Sequence, residues 1–564
     1  SKAVEGGYNP QAITAFRDYL KTKFRDIEKL NTSWRASYKD FNEIEPPQDP
    51  HVTVRRRATP LSYEFESFRA QSRTDYFALV VEAIHKGDPG RPVGMEINTL
   101  GDDYTTATVG SFQQMLQIPA TYVESHFNNW LAGYTSLNLL YSFCLYANKI
   151  PIQTEHIWTY PRLQHPVTED EFRVTGELSI WRNMVWGRMI LNVFGVFDGW
   201  GYRHNFMDEQ YSCMLNDTLG PTGTFVREAG TSIPVAKQRA RKFWPYLKST
   251  RVVKPKIALV VPTVSMINEY PHHLIHDALP TTVTDLFRFE RFLTPRELDF
   301  RFVPEEVVVN GLEDLSGMEA VILPYAPSFP KGLAEKLLEW TRKGGTLIAS
   351  GVPGIYDPYG FDDRELMEEV FGSRLEYLYA GDDHNWRWEL KPAREQSAVR
   401  VLVKDSNRAV VVSTSYGAGR VLLLSESFSA SSSKRRIEAA LADTLEGAIG
   451  WPTAFSDHHS FEMVTREDDS GTRYLFIINP DLNAVKTDYV TVDGEYSQII
   501  DLGIGPHCSV PLVPRKPMNV NSRYDITSMH TDGTTFIAVR SAPGRTTFQM
   551  RLSPGEGTAL KLEK

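Results

Sequence analysis

Residues 9–47, NPQAITAFRDYLKTKFRDIEKLNTSWRASYKDFNEIEPP, hold the most regular hydrophobic pattern in the chain. Ile13, Phe16, Leu20, Phe24 and Ile27 recur every three or four positions, which predicts one amphipathic helix with a single apolar stripe. Asn9 suits the N-cap, and Pro10 stands at the first helical position, where its missing N–H is not needed. A Leu-Asn-x-x-Trp turn (Leu30 to Trp34) follows, and Pro46-Pro47 stops the next element. Up to about residue 250, short apolar runs then alternate with longer helical patterns. RPVGMEIN (91–98), PATYVESHFN (119–128), KIPIQTEH (149–156) and NVFGVFDGWGY (192–202) read as buried strands that open into polar residues. Helices are predicted over 62–86, 106–116, 133–147 and 169–190.

Near-continuous apolar strands alternating with helices predict parallel βα units. Polar and aromatic residues crowd the carboxyl ends of these strands, as a (β/α)8 TIM-barrel site requires. Residues 1–250 therefore read as the C-terminal half of such a barrel, about strands 4–8. An open half leaves unpaired edges and an uncovered core. The first units are expected from a longer parent chain or from a separate polypeptide supplying the N-terminal half of the barrel.

Past residue 250 the pattern changes. KPKIALVVP (254–262), LDFRFVP (298–304), EAVILPYAP (319–327), GGTLIASG (344–351) and GRVLLLSES (419–427) are β-rich, with helical patterns at 331–343 and 434–449. Residues 251–450 thus read as an open, flavodoxin-like α/β sheet. Residues 451–564 carry short β-rich runs, among them TRYLFIINP, DYVTVDG and TTFQMRLSP, spaced by Gly, Asp and Pro turns. They predict a small antiparallel β-sandwich.

Composition narrows the function. A chain of 564 residues is too long for one core. Its net charge of −9 and pI near 5.9 argue against nucleic acid as a partner. No run approaches about 18 apolar residues, so no membrane span is expected. The compartment stays open: cytoplasmic, or exported if a parent chain carries a signal. Cys144, Cys213 and Cys508 are scattered without C-x-x-C spacing and read as buried free thiols. The adjacent pairs His272-His273 and His458-His459 read as loop residues without a carboxylate at helical spacing, so no metal is expected. No phosphate-cradling glycine loop or nucleophile elbow is present. Aromatic residues reach 12%, a level that suits both stacking on sugar rings and large cores.

Glu155 ends an apolar strand and is followed by His156, Trp158 and Tyr160, a grouping that suits either a catalytic carboxylate or a strand-end acid paired with Arg or Lys. Glu96, Glu124, His126 and Asn128 lie at the ends of the two preceding strands, as sugar-hydroxyl ligands or as satisfied polar groups. Trp130, Trp158 and Trp200 are candidate sugar platforms or core residues, and Asp198, Arg203 and His204 follow the last strand.

The stretch from Asn9 to Pro47, with its LNTSW turn, resembles the segment after the fourth barrel strand in family 42 glycoside hydrolases and their relatives. The resemblance implies a retaining β-glycosidase that needs no cofactor and uses two carboxyl groups. Glu155 stands where the family has its nucleophile, and Glu5, before Gly6-Gly7-Tyr8, where it has its acid/base. Val4 replaces the Asn that usually precedes that acid. Trp34 occupies a position that serves structure. The middle residues resemble the family's trimerisation domain, related to glutamine amidotransferases, so a homo-oligomer, a trimer, is expected. Residues 252–450 contain no cysteine, which removes the glutaminase nucleophile. The substrate implied is an oligosaccharide or other β-glycoside, most commonly a β-galactoside. The rival expectation is a non-catalytic carbohydrate-binding or assembly protein on a degenerate glycosidase scaffold.

Overall fold

The computed structural model describes residues 7–47, 59–96, 112–124, 127–128, 133–152, 156–157, 247–276, 281–313, 315–372, 375–379, 388–392, 398–406, 408–429, 431–450, 454–481, 484–493, 495–501, 526–531, 534–542, 545–552 and 557–563. The N-terminal stretch forms α1 (Pro10–Phe24) and α2 (Ile27–Trp34). Asn9 caps α1, its side chain accepting from the Ala12 N–H at 2.9 Å. The periodicity predicts one helix, but there are two. Arg25 adopts a φ of 69°, and the Asp26 side chain accepts from the Lys29 N–H at 2.7 Å, starting α2. A short acid that captures a backbone N–H competes with helix continuation, a local effect invisible to hydrophobic spacing.

The Leu-Asn-x-x-Trp string is correspondingly the end of α2 rather than a turn. The reversal comes after it, at Arg35 with φ 52°. Asn31 holds it closed by accepting from the Tyr38 N–H at 2.9 Å and donating to the Tyr38 carbonyl at 2.8 Å. Phe16, Leu20, Phe24, Leu30 and Trp34 share one core with Phe65 and Phe68 of α3 (Pro60–Gly87). Trp34 is buried edge-on to Phe24 and Tyr38, as expected of a structural residue.

Next come β1 (Gly94–Glu96), α4 (Phe112–Gln117), β2 (Tyr122–Glu124), β3 (Phe127–Asn128), α5 (Gly133–Ala147), β4 (Ile150–Ile152) and β5 (His156–Ile157). β1, β2 and β4 form a parallel sheet in that order, and β3 pairs parallel with β5. Val81, Val93, Met95, Phe112, Val123, Leu139 and Phe143 fill the space between this sheet and its helices. The helix predicted at 169–190 and the strand at 192–202 lie outside the described residues. Cys144 is buried and free, its thiol pushed up to about 12 by burial. Cys213 and Cys508 are outside the described residues.

The chain continues through β6 (Thr250–Val252), β7 (Ile257–Val261), α6 (Thr263–His276), α7 (Thr281–Leu293), β8 (Phe300–Pro304), α8 (Glu305–Val309), β9 (Ala320–Leu323), α9 (Leu333–Arg342), β10 (Thr346–Ala349) and α10 (Glu365–Phe371). It then forms β11 (Leu375–Tyr379), β12 (Trp388–Pro392), β13 (Val399–Asp405), β14 (Arg408–Tyr416), β15 (Gly419–Leu424) and α11 (Lys434–Ile449). The parallel strands lie in the order β8-β7-β9-β10-β15, which is second, first, third, fourth and fifth along the chain. That is the doubly wound order of flavodoxin-like sheets. β7 and β8 are buried along their whole length, which explains the apolar run of β7 and leaves Arg301 as the one charged residue in β8. His272 and His273, expected in a loop, lie on α6. The helix passes through Pro271, and Val264, Ile267 and Leu274 keep helical spacing across it.

The remaining strands are β16 (Ala454–Ser456), β17 (Glu462–Asp468), β18 (Arg473–Ile478), β19 (Lys486–Asp493), β20 (Glu495–Asp501), β21 (Ile526–Thr531), β22 (Thr534–Ala542), β23 (Arg545–Leu552) and β24 (Gly557–Glu563). They make two antiparallel five-stranded sheets, β16-β19-β23-β22-β21 and β20-β24-β18-β17-β6. β6, from before the flavodoxin-like segment, closes the second sheet. Arg466 of β17 secures it: the fully buried guanidinium donates to the Thr250 hydroxyl at 2.8 Å and to the Thr250 carbonyl at 2.5 Å. A buried guanidinium is tolerated only with such partners.

Glu297 ties the flavodoxin-like segment to β16. Its buried carboxyl accepts from the Ser456 hydroxyl at 2.5 Å and from the Ser456 N–H. Burial pushes its pKa up to about 9, and Asp488 and Asp299 add to the rise. The folded pKa exceeds the ordinary value of 4.5, so the native state holds the extra proton. Its contribution to stability is full below pH 4.5 and is lost as pH rises toward about 9. The thermal midpoint should fall by at least about 2 °C between about pH 6 and pH 9, and Glu297→Gln should flatten that fall. A variant with the wild-type slope contradicts the assignment.

Candidate active site

The carboxyl ends of β1, β2 and β4 are level with one another. Glu96 pairs in register with Glu124, and Glu124 with Ile152. Adjacent strands lie about 4.8 Å apart, so the two glutamate backbones are neighbours at one end of the sheet. β3 and β5 extend the same pattern, with Phe127 opposite His156 and Asn128 opposite Ile157. Glu155 immediately precedes His156 in the chain. Of the sequence-predicted positions, Glu96 and Glu124 therefore lie side by side at the carboxyl ends of β1 and β2, where a barrel carries its chemistry, and Asn128 and His156 lie on the two-stranded β3-β5 ladder. Glu5, His126, Trp130, Glu155, Trp158, Tyr160, Trp200, Asp198, Arg203 and His204 lie outside the described residues. Among the described residues, no group of three or more His, Cys, Asp and Glu is placed to hold a metal ion. No described helix is long and apolar enough to cross a membrane.

The N-terminal flank of this region is built on a buried acid that hydrophobic periodicity does not single out. Glu64 of α3 has no exposed surface. Lys23 of α1 donates to both of its oxygens, at 2.7 and 2.8 Å. The Tyr19 hydroxyl donates to Oε2 at 2.9 Å, and the Tyr359 hydroxyl, from the flavodoxin-like segment, to Oε1 at 2.5 Å. Each oxygen thus accepts two hydrogen bonds, the full complement of an ionised carboxylate. Burial and the Glu64 charge hold the Tyr19 and Tyr359 phenols well above the usual range, so both remain donors. The sequence signal for this knot is slight: an acid flanked in the chain by Tyr63 and Phe65.

Gly7 and Tyr8 enter the same core. The Tyr8 ring lies 5.2 Å from that of Phe65. Gly7 has a φ of 111°, and a Cβ there would sit 3.1 Å from the Phe65 Cζ. Both the backbone conformation and the space select glycine two residues after Glu5. The carboxyl end of the flavodoxin-like sheet is cross-linked by buried hydrogen bonds. Between β7 and β9 the Ser265 hydroxyl donates to the Ser328 carbonyl at 2.8 Å and accepts from its N–H at 2.9 Å. Asp285 accepts from the Tyr325 N–H, the Ser429 N–H and the Ser427 hydroxyl. These buried bonds lie at the switch point of the strand order, where such sheets often bind ligands.

Comparison with known proteins supports the same end of the molecule. The family 42 glycoside hydrolase model, described as beta-galactosidase, matches residues 2–119. Curated protein sequences give no match. Among solved structures, a beta-galactosidase from Bacillus circulans sp. alkalophilus superposes with a TM-score of 0.68 at 14% identity, over 99% of this chain and 77% of that one. A beta-galactosidase from the Antarctic haloarchaeon Halorubrum lacusprofundi gives a TM-score of 0.64 at 16% identity, over 98% and 76%. An apo exo-carrageenase of family 42 from Bacteroides ovatus gives 0.54 at 14% identity, over 98% and 63%. These identities speak to the fold, an α/β architecture based on a TIM barrel. Residues 2–119 thus carry the family 42 sequence pattern, and nearly the whole chain shares the fold of these solved structures.

Proposed function

We propose that the chain is the catalytic portion of a retaining β-glycosidase of the β-galactosidase type. The parallel register that levels Glu96, Glu124 and the strand leading to Glu155 carries this reading. In this mechanism the Glu155 carboxylate attacks the anomeric carbon, and the glycosidic C–O bond breaks as a glycosyl–enzyme ester forms. Glu5 protonates the departing oxygen and then takes a proton from the water that hydrolyses the ester. Direct attack sets the two carboxyl groups about 5–5.5 Å apart. Glu96, Glu124, His126, Asn128 and His156 are proposed to hold sugar hydroxyls, with Trp130, Trp158, Tyr160 and Trp200 as stacking surfaces. Catalysis by two carboxyl groups uses no cofactor.

The middle domain, residues 251–450, and the β-sandwich, residues 451–564, are proposed as assembly and support. A homotrimer is proposed on the resemblance. The outer face of α3 exposes Tyr76, Leu79 and Ile84, and β1 lies at the edge of its sheet among the described residues. Both features suit further βα units completing the barrel, from the same protein or from a separate polypeptide.

A panel of nitrophenyl glycosides tests the assignment. The β-galactoside should be turned over, and Glu155→Gln should lower kcat by at least about 1,000-fold at unchanged thermal midpoint. Equal turnover by both proteins, or tight sugar binding by both without turnover, favours the non-catalytic carbohydrate-binding reading. Gly7→Ala should lower kcat/KM by roughly tenfold or more, through displacement of the Glu5 segment, with folding retained. Wild-type kinetics in that variant would remove Gly7 from the site. Sedimentation velocity should give a trimer mass, and a monomer at micromolar concentration overturns the assembly proposal.

A further inference from the structure

The loop from Asp357 to Phe361 reaches out of the flavodoxin-like segment and seats on α2 and α3. It is internally hydrogen-bonded. The Asp357 carboxylate accepts from the N–H groups of Tyr359 at 2.9 Å and Phe361 at 2.8 Å. The Asp357 N–H donates to the Phe361 carbonyl at 2.9 Å, and Gly360 supplies the positive φ of 77° that the tight turn needs. Its two aromatic side chains make the outward contacts. The Tyr359 hydroxyl donates to Glu64 at 2.5 Å and its ring lies 5.8 Å from that of Tyr63. The Arg35 guanidinium, just past α2, stacks 4.0 Å from the Phe361 ring centroid.

These contacts converge on the helices that hold the start of the chain. Glu64 is joined to α1 through Lys23 and Tyr19, and Phe65, beside Glu64 on α3, packs against Tyr8 and meets Gly7. From Tyr359 to Tyr8, three residues after Glu5, the path is one hydrogen bond, the step from Glu64 to Phe65 along α3 and one ring contact. We propose that Tyr359 is a positioning residue for the reaction. Through Glu64 it locks α1 and α3 to the flavodoxin-like segment and so fixes the approach of the proton-donating Glu5. That segment then takes part in setting catalytic geometry as well as in assembly. The inference rests on the reading of Glu5 as the acid/base.

The test is Tyr359→Phe, which deletes one hydroxyl and leaves Glu64 with Lys23 and Tyr19. Tyr416→Phe is the matched control: its hydroxyl bonds Glu369 at 2.7 Å and Arg342 at 2.6 Å, all within the flavodoxin-like segment. Two readouts are taken on the full chain, steady-state kinetics and hydrogen exchange by mass spectrometry. Tyr359→Phe should lower kcat roughly tenfold with KM within about twofold, and should speed exchange in α1 and the first half of α3. Tyr416→Phe should change neither. Wild-type exchange in α1 and α3 of Tyr359→Phe overturns the lock itself. Unchanged kcat alongside faster exchange overturns the positioning role, and turnover that survives Glu5→Ala overturns the acid reading on which that role rests.

Discussion

A carboxylate sealed from water must be paid for in hydrogen bonds, and Glu64 shows how much structure that requirement organises. Removing such a group from solvent costs several kcal/mol unless every acceptor position is met. Meeting the positions of Glu64 takes a lysine and a tyrosine from one helix and a second tyrosine from almost 300 residues further along the chain. Loss of any one donor leaves an acceptor position of a buried carboxylate unmet. Barrel helices and flavodoxin-like segment are therefore registered by one polar knot, around which Phe16, Phe65 and Phe68 form an apolar collar. The aromatic contacts supply most of the burial, while the carboxylate supplies the direction.

Buried polar groups serve the same end elsewhere. Arg466 pulls β6 into a sheet otherwise made by the last quarter of the chain, and Glu297 reaches across to Ser456. Both join segments that are remote in sequence, using groups whose desolvation is compensated only in one geometry. Hydrophobic faces bring these units together without specifying orientation. The charged or protonated group at each seam does the specifying.

The regular part of this architecture was legible in the sequence because period and burial agree there. The helix predicted at 133–147 is α5 residue for residue, the one at 434–449 is α11, and the β-rich runs at 254–262 and 298–304 contain β7 and β8. What escaped was local or distant chemistry. The break at Arg25 and Asp26 is a capping event inside a continuous apolar stripe. β13 and β14 form a hairpin along VRVLVKD and RAVVVSTSY, runs that were not singled out as strands. The pairing of β6 with β17 depends on a buried arginine more than 200 residues away. At the site, strand-end spacing anticipated the level placement of Glu96 and Glu124. Glu64 and Tyr359 carry no motif, because their importance comes from donors assembled by the fold.

The chemical account turns on whether Glu155 forms a covalent bond to the sugar. The direct measurement is peptide mass spectrometry after incubation with a 2-deoxy-2-fluoro-β-galactoside bearing a good leaving group, a probe that slows breakdown of a glycosyl ester. The account predicts a single fluorosugar adduct on Glu155. An adduct on another carboxylate, or turnover of β-galactosides with inverted anomeric configuration and no adduct, would contradict it.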